Sequence, residues 1–149
     1  MTKTSTSTAS DPFAVALRLL TRCDRSSAEL RRKLEERGFA TEAIDDAMER
    51  CREYNYLDDQ RYATERARAL MRSGRGVGSR ILRDLHQRGI DEETARQALV
   101  AAEEEFSTTD LLTQELQRRF PDFCYRHATL KERRRVVSYF QRRGFSLEQ

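Results

Sequence analysis

A short phrase, apolar-x-x-Arg-Gly-apolar, occurs three times and constrains the fold more than any other feature of the chain. It reads Leu34-Glu35-Glu36-Arg37-Gly38-Phe39, then Leu85-His86-Gln87-Arg88-Gly89-Ile90, then Phe140-Gln141-Arg142-Arg143-Gly144-Phe145, with the glycines 51 and 55 residues apart. Four residues before each phrase stands another apolar residue: Leu30, Ile81 or Val136. Residues at i and i+4 share one face of a helix. A glycine just after such a pair supplies the left-handed residue that ends the helix, and the apolar residue beyond it covers the end. Each phrase therefore predicts a helix terminus, and its recurrence predicts tandem supersecondary units. The repeat core is Leu30, Leu34 and Gly38; Ile81, Leu85 and Gly89; Val136, Phe140 and Gly144.

Within each period the pattern fits three helices. In the first, "PFAVALRLLTRC" is an apolar helix, Asp24 or Ser26 caps the next from Ser27 to Arg37, and Thr41-Glu42 opens a third that runs to about Tyr54. The second period has helices from Asp58-Asp59 to Met71, from about Ser79 to Arg88, and from Asp91 to about Glu104. The third has helices near 108–119 and 129–143, separated by Pro121, and a last one starting at Ser146 or Leu147 that the end at Gln149 leaves incomplete. No alternating strand pattern of useful length occurs. The expected fold is all-α: tandem repeats of three-helix, helix-turn-helix-like units over 13–56, 57–105 and 106–149, after a disordered tail over 1–12.

Composition narrows the class. Charged residues make up 36% of the 149 residues and the hydrophobic fraction is 38%, a profile of helices with much exposed surface. The N-terminal "MTKTSTSTASDP" lacks the apolar core of a signal peptide and no run approaches a membrane span, so a soluble cytoplasmic protein is expected. Cys23, Cys51 and Cys124 are odd in number and in no C-x-x-C pair, and they read as buried small hydrophobes rather than a disulfide framework or zinc site.

The net charge of +3 hides a segregated pattern. Residues 61–88 carry eight arginines against Glu65 and Asp84; residues 91–115 carry eight acids against Arg96; residues 116–143 carry nine basic residues against Asp122 and Glu132. Blocks of one sign, each about a helical hairpin long, imply separate basic and acidic surfaces suited to a polyanion or to a protein with complementary patches. The richest stretch, "RSGRGVGSRI" over 72–81, has neither the preceding buried strand of a dinucleotide-binding loop nor the Gly-Lys-Ser/Thr of a P-loop, so Gly74, Gly76 and Gly78 read as helix termination and a turn. Arg61, Arg68, Arg72 and Arg75 form one stripe, leaving Ala63, Ala67 and Leu70 to face the core. Arg80 and Arg83 extend that surface beside a helix N-terminus, and Arg133, Arg134, Arg135 and Arg142 form another. Guanidinium forks bind phosphate or carboxylate bidentately, which makes these ten arginines the candidate contact residues.

Taken together, several pieces resemble the RecX family, regulators of the bacterial RecA recombinase. They are Arg22 with Ser26 or Ser27 and Glu29-Leu30-Arg31-Arg32-Lys33-Leu34; Tyr56-Leu57-Asp58-Asp59; the glycine-rich residues followed by Arg80-Ile81, Leu85 and Arg88-Gly89-Ile90; and Arg142-Arg143-Gly144-Phe145. The resemblance covers about residues 14–147. The chain departs from the family pattern at Asn55, where a glycine is usual, and by about one residue in the spacing from Gly76 to Ile81. The early stop implies an incompletely capped third repeat or a truncated chain. The resemblance implies an elongated, curved array of three-helix units. It would act as a monomer lying in the groove of the RecA filament on single-stranded DNA, hindering extension, strand exchange, ATP hydrolysis and the co-protease function of the DNA-damage (SOS) response, with DNA as a further partner through the basic stripes and no cofactor.

The residues themselves admit other readings. Catalysis lacks support: His86 and His127 are the only histidines, no cysteine has a His neighbour in sequence, and Asp58-Asp59 at a helix start reads as capping rather than a metal site. Tyr54, Tyr56, Tyr62, Tyr125 and Tyr139 read as fillers of the seams between repeats rather than base-stacking groups. A stand-alone nucleic-acid-binding module is the main competitor, since three-helix units with a basic last helix resemble helix-turn-helix domains; the acidic blocks count against it. A solenoid scaffold for another protein is the third reading.

Overall fold

A computed structural model describes residues 11–146 and Glu148. The described residues form eight helices and no strand: α1 (Pro12–Arg22), α2 (Ser27–Glu36), α3 (Thr41–Glu53), α4 (Asp59–Arg72), α5 (Gly78–Gln87), α6 (Glu92–Glu105), α7 (Thr108–Arg119) and α8 (Leu130–Arg142). The all-α expectation and its tandem three-helix organisation hold. Of the tail expected over 1–12, the first ten residues lie outside the described residues. Asp11 and Pro12 are the N-cap and first residue of α1, with the Asp11 carboxylate accepting the Phe13 N–H. Of the two starts expected for a last helix, Ser146 lies in no helix and Leu147 lies outside the described residues.

Caps explain where these helices begin. Of the two candidates before α2 it is Ser26, fully buried, whose Oγ accepts the Glu29 N–H. Asp91 accepts the Thr94 N–H at 2.8 Å, Ser107 accepts that of Asp110, and Thr129 with Glu132 forms a reciprocal capping box. The ends are equally local. Gly38, Gly89 and Gly144 have φ of 82°, 80° and 99°, and in each case two crossing hydrogen bonds close the last turn. Phe39 N–H bonds to Leu34 O, Ile90 N–H to Leu85 O, and Phe145 N–H to Phe140 O, the Schellman arrangement with its apolar residue folded back on the helix. Asn55, at φ 60°, closes α3 in the same way, with Tyr56 N–H bonding to Cys51 O. Asn is the non-glycine residue best able to occupy that region.

The chain forms two compact units, one ending at Asp59 and the other beginning at Gln60. In the first, α1–α3 and Leu57 enclose Val15, Leu19, Leu30, Leu34, Ile44, Met48 and Cys51. Asp59 accepts the Ser27 N–H at 2.7 Å, so the Asp58-Asp59 pair contributes a link to the start of α2. In the second, α4–α8 share one core that includes Ala67, Met71, Val77, Ile81, Leu85, Val136, Phe140 and Phe145. Ala95, Ala98 and Ala102 give α6 a face of small residues that is fully buried. Only Cys51 follows the expectation for the cysteines. Its thiol is pushed up by burial, whereas Cys23, at the C-cap of α1, and Cys124, between α7 and α8, are exposed, because neither lies on the apolar face of a helix.

The glycine-rich stretch is resolved by packing. Gly74, at φ 68°, ends α4: its N–H bonds to Met71 O and the next, of Arg75, to Leu70 O. Gly76 and Gly78 do something else. The segment between them receives the end of α8, with Val77 N–H donating to Arg143 O at 2.8 Å. A Cβ on Gly78 would stand 3.1 Å from Gly144 O, and one on Gly144 only 1.9 Å from Val77 O. The "RGVG" turn is the socket into which Gly144 fits.

Candidate contact surface

The second unit holds most of the arginines, and they divide by what each guanidinium meets. Some are neutralised within the fold. Asp84 on α5 accepts a two-bond fork from Arg66 on α4, at 2.9 and 3.0 Å, and a third bond from Arg88 Nε at 3.0 Å; Arg88 also donates to Tyr62 Oη at 3.2 Å. Burial alone would raise the Asp84 carboxyl, but the bonds and charge of Arg66 and then Arg88 outweigh it and hold the group below its ordinary range. The hydrogen bond to Asp84 raises the Arg66 guanidinium, and for Arg88 burial, which would lower it, is outweighed by Tyr62 and then Asp84. Glu115 on α7, 5% exposed, is a second such centre, accepting from Arg118 at 2.9 Å and from Tyr139 Oη at 2.6 Å. Its burial, which would raise the carboxyl, is outweighed by the bonds of Arg118 and Tyr139 and by the charge of Arg118 and Arg143, so it too lies low. These centres are structural: their arginines are spoken for.

The α4 stripe is broken up by this pairing. Arg68 bridges Glu65 at 2.7 Å and Glu105 at 2.8 Å, tying α4 to α6. Arg75 lies beyond the end of α4, in the closing turn, so it is not on the helix stripe as its spacing suggested. Arg61 is exposed on α4, and Arg72 is exposed with its guanidinium 6.0 Å from the Phe106 ring centre. Ala63, Ala67 and Leu70 face the core as expected. On α5, Arg80 and Arg83 are exposed; the stem of Arg80 covers Gly76, whose Cβ would stand 3.0 Å from Arg80 Cγ.

On α8 the four candidate arginines part company. Arg133 is drawn inward, its Nε bonding to Tyr125 O at 3.0 Å with the guanidinium 4.3 Å from the Tyr125 ring centre. Arg134, Arg135 and Arg142 are exposed. Arg135 and Arg142 meet a residue absent from the sequence-derived set, Arg119 at the end of α7, around a cleft of about 260 Å³ walled by Phe120 and Tyr139. Arg135 lies 5.9 Å over Phe120 and Arg119 5.9 Å over Tyr139, and the two rings meet edge to face at 5.2 Å. Spacing along one helix cannot reveal a cluster built across two. Of the tyrosines, Tyr62 is buried and Tyr139 half-buried, as seam residues would be, but Tyr54, Tyr56 and Tyr125 are 59%, 49% and 63% exposed, because each lies at a helix end or in a connecting turn.

Exposed guanidinium groups of this kind suit oxyanions and carboxylates. Among the described residues no three His, Cys, Asp or Glu side chains are placed to hold a metal ion. No described helix is long and apolar enough to cross a membrane.

Known proteins share this architecture and sequence. Family models described as the first and second three-helix domains of RecX match residues 13–51 and 58–99. A protein named Regulatory protein RecX from Syntrophotalea carbinolica is 47% identical over 136 residues, covering 91% of this chain and 89% of the relative. Its namesake from Trichlorobacter lovleyi is 36% identical, covering 91% and 88%. A crystal structure of RecX from Lactobacillus salivarius superposes with a TM-score of 0.75 at 21% identity, over 92% of this chain and 88% of that one. A second RecX crystal structure gives 0.76 at 22% identity, over 92% and 68%; these two likenesses speak for the fold. On the matched domains and the close relatives, the chain belongs to the RecX family of regulatory proteins.

Proposed function

We propose that the protein is a non-enzymatic inhibitor of the RecA recombinase in the bacterial cytoplasm. It binds as a monomer in the groove of the RecA filament on single-stranded DNA and limits filament extension, strand exchange, ATP hydrolysis and co-protease activity. The reading rests on family membership, and the observation that carries it here is the sorting of the arginines. Arg72, Arg80, Arg83, Arg135 and Arg142 are exposed and make no ion pair among the described residues, while the acids of α6 present the opposite sign. A surface with both signs can pair with a repeating protein partner at several points, and individually modest contacts then add through avidity.

The test is RecA's single-stranded-DNA-dependent ATP hydrolysis, with this protein titrated in well below the protomer concentration and excess DNA present. Inhibition at a small fraction of protomers supports a filament-directed modulator. Inhibition that disappears as DNA is added assigns the arginines to DNA instead and makes the protein a stand-alone nucleic-acid-binding module.

A further inference from the structure

The α7–α8 end of the second unit carries two depressions of different chemistry that share a wall. The first is the arginine cleft of Arg119, Arg135 and Arg142. The second, of about 400 Å³, continues from Arg119, Phe120 and Arg135 over Pro121, Phe123 and Val136. None of the three arginines has a carboxylate partner among the described residues. Ring contacts hold Arg119 and Arg135 instead. A guanidinium lying over a ring keeps its N–H edge turned outward, and it can receive a planar oxyanion without first giving up an ion pair. Arg68, by contrast, would have to release two glutamates.

The occupant could be a phosphodiester backbone or a peptide carboxylate, and two observations favour the peptide. The rings are not open stacking platforms: Arg143 lies over Tyr139 at 4.3 Å, and Phe120 is engaged edge to face by Tyr139 at 5.2 Å with Arg135 5.9 Å from its centre. The second depression carries Asp122 and Glu132 on its wall beside Pro121, Phe123 and Val136, so negative charge is accepted at the arginine cleft and repelled next to it, an alternation that a continuous run of phosphates cannot follow. The arrangement does suit an apolar side chain next to a carboxylate. We propose that the α7–α8 end binds a short acidic peptide segment, with carboxylates on Arg119, Arg135 and Arg142 and a neighbouring apolar side chain over Phe123 and Val136.

The probe is a fluorescently labelled peptide in which two Asp-Glu pairs lie on one side of a single Leu, titrated with the full chain and followed by anisotropy. Saturable binding is expected, weakened roughly tenfold or more by Arg135→Glu with Arg142→Glu and by less than about twofold by Arg80→Glu with Arg83→Glu, which changes the charge equally. Replacing the peptide's Leu by Ser should weaken binding severalfold. Arg135→Lys with Arg142→Lys keeps the charge but loses the forks, and should still lower affinity about threefold; it serves if the Glu variant fails to fold. Equal weakening by the α5 and α8 charge reversals would overturn the proposal in favour of undirected attraction. So would a labelled oligothymidine that binds more tightly than the peptide and loses its affinity only in the α8 variants. No recombinase is present in the assay, so its outcome is separate from that of the filament reading.

Discussion

Gly144 sits so close to Val77 that a Cβ at its position would lie 1.9 Å from the Val77 carbonyl oxygen and 2.9 Å from the Arg80 backbone nitrogen. No side chain can rotate out of that overlap, because both neighbours are backbone. With φ at 99°, Gly144→Ala combines left-handed strain with a forced separation of two helix ends, and we expect a loss of about 2–4 kcal/mol. Gly38 offers the control: it has φ 82° but nothing within 4 Å of a Cβ, so Gly38→Ala should cost only about 1 kcal/mol. Urea unfolding of the two variants, monitored by far-ultraviolet circular dichroism, tests the difference; equal losses would remove the socket from the account.

Asn55→Ala keeps the β-carbon but removes the polar side chain that lets Asn tolerate the left-handed closing turn of α3, and should destabilise by about 1 kcal/mol. Asn55→Gly relieves the same turn and should change stability by less than about 0.5 kcal/mol. Thermal melts of the two variants read the ordering directly.

Removing Asp84 leaves two guanidinium groups facing each other without an anion, so Asp84→Asn should cost about 1–3 kcal/mol at neutral pH. The folded carboxyl is held below its ordinary value, so its contribution is complete above the unfolded Asp range, near pH 4. It falls away as the pH drops through that range and on through the lower folded value. The stability gap between the parent and Asp84→Asn should therefore narrow from pH 6 toward pH 3; a gap that stays constant would show that the lost carboxylate charge is not what the substitution removes.

Glu115 and Tyr139 are joined by a bond of 2.6 Å in a half-enclosed site. Tyr139→Phe should cost about 1 kcal/mol, Glu115→Gln more, and the double variant less than the sum, with a coupling of about 0.5–2 kcal/mol. A double-mutant cycle in denaturant unfolding measures the coupling, and strict additivity would mean that the bond is not formed in solution.

For the regulatory role, Arg72→Glu with Arg83→Glu alters two exposed arginines that make no ion pair among the described residues. It should weaken inhibition of the recombinase's ATP hydrolysis while leaving the melting temperature near that of the parent. Arg68→Glu should do the reverse in part: it sets three acids together where Arg68 now bridges Glu65 and Glu105, and lowers the melting temperature. Filament inhibition and thermal melts measured side by side separate contact from support.

Most of the fold was legible in the linear chain because its signals are local. Apolar spacing marks the buried face of each helix, Ser26, Asp91, Ser107 and Thr129 mark starts, and Gly38, Asn55, Gly74, Gly89 and Gly144 mark ends. These interactions close within a few residues, so every helix boundary fell within about two residues of the position its pattern suggested. The contact surface was less legible. Charge counting gathered Arg68 and Arg133 with exposed arginines although one is held by two glutamates and the other by a carbonyl, and it passed over Arg119.

The all-α repeat and the family can be read from the linear chain, since both are carried by short-range spacing and by residues read one at a time. Which exposed charges stay unpaired and which glycines are sockets depends on how the helices pack. Asp84 neutralises Arg66 from another helix, Gly144 enters the turn at Val77 from a repeat that follows more than sixty residues later, and Arg119 joins Arg135 across a loop. Partnership of that kind depends on distance in space, which falls steeply into or out of contact over a few ångströms and is uncorrelated with separation along the chain.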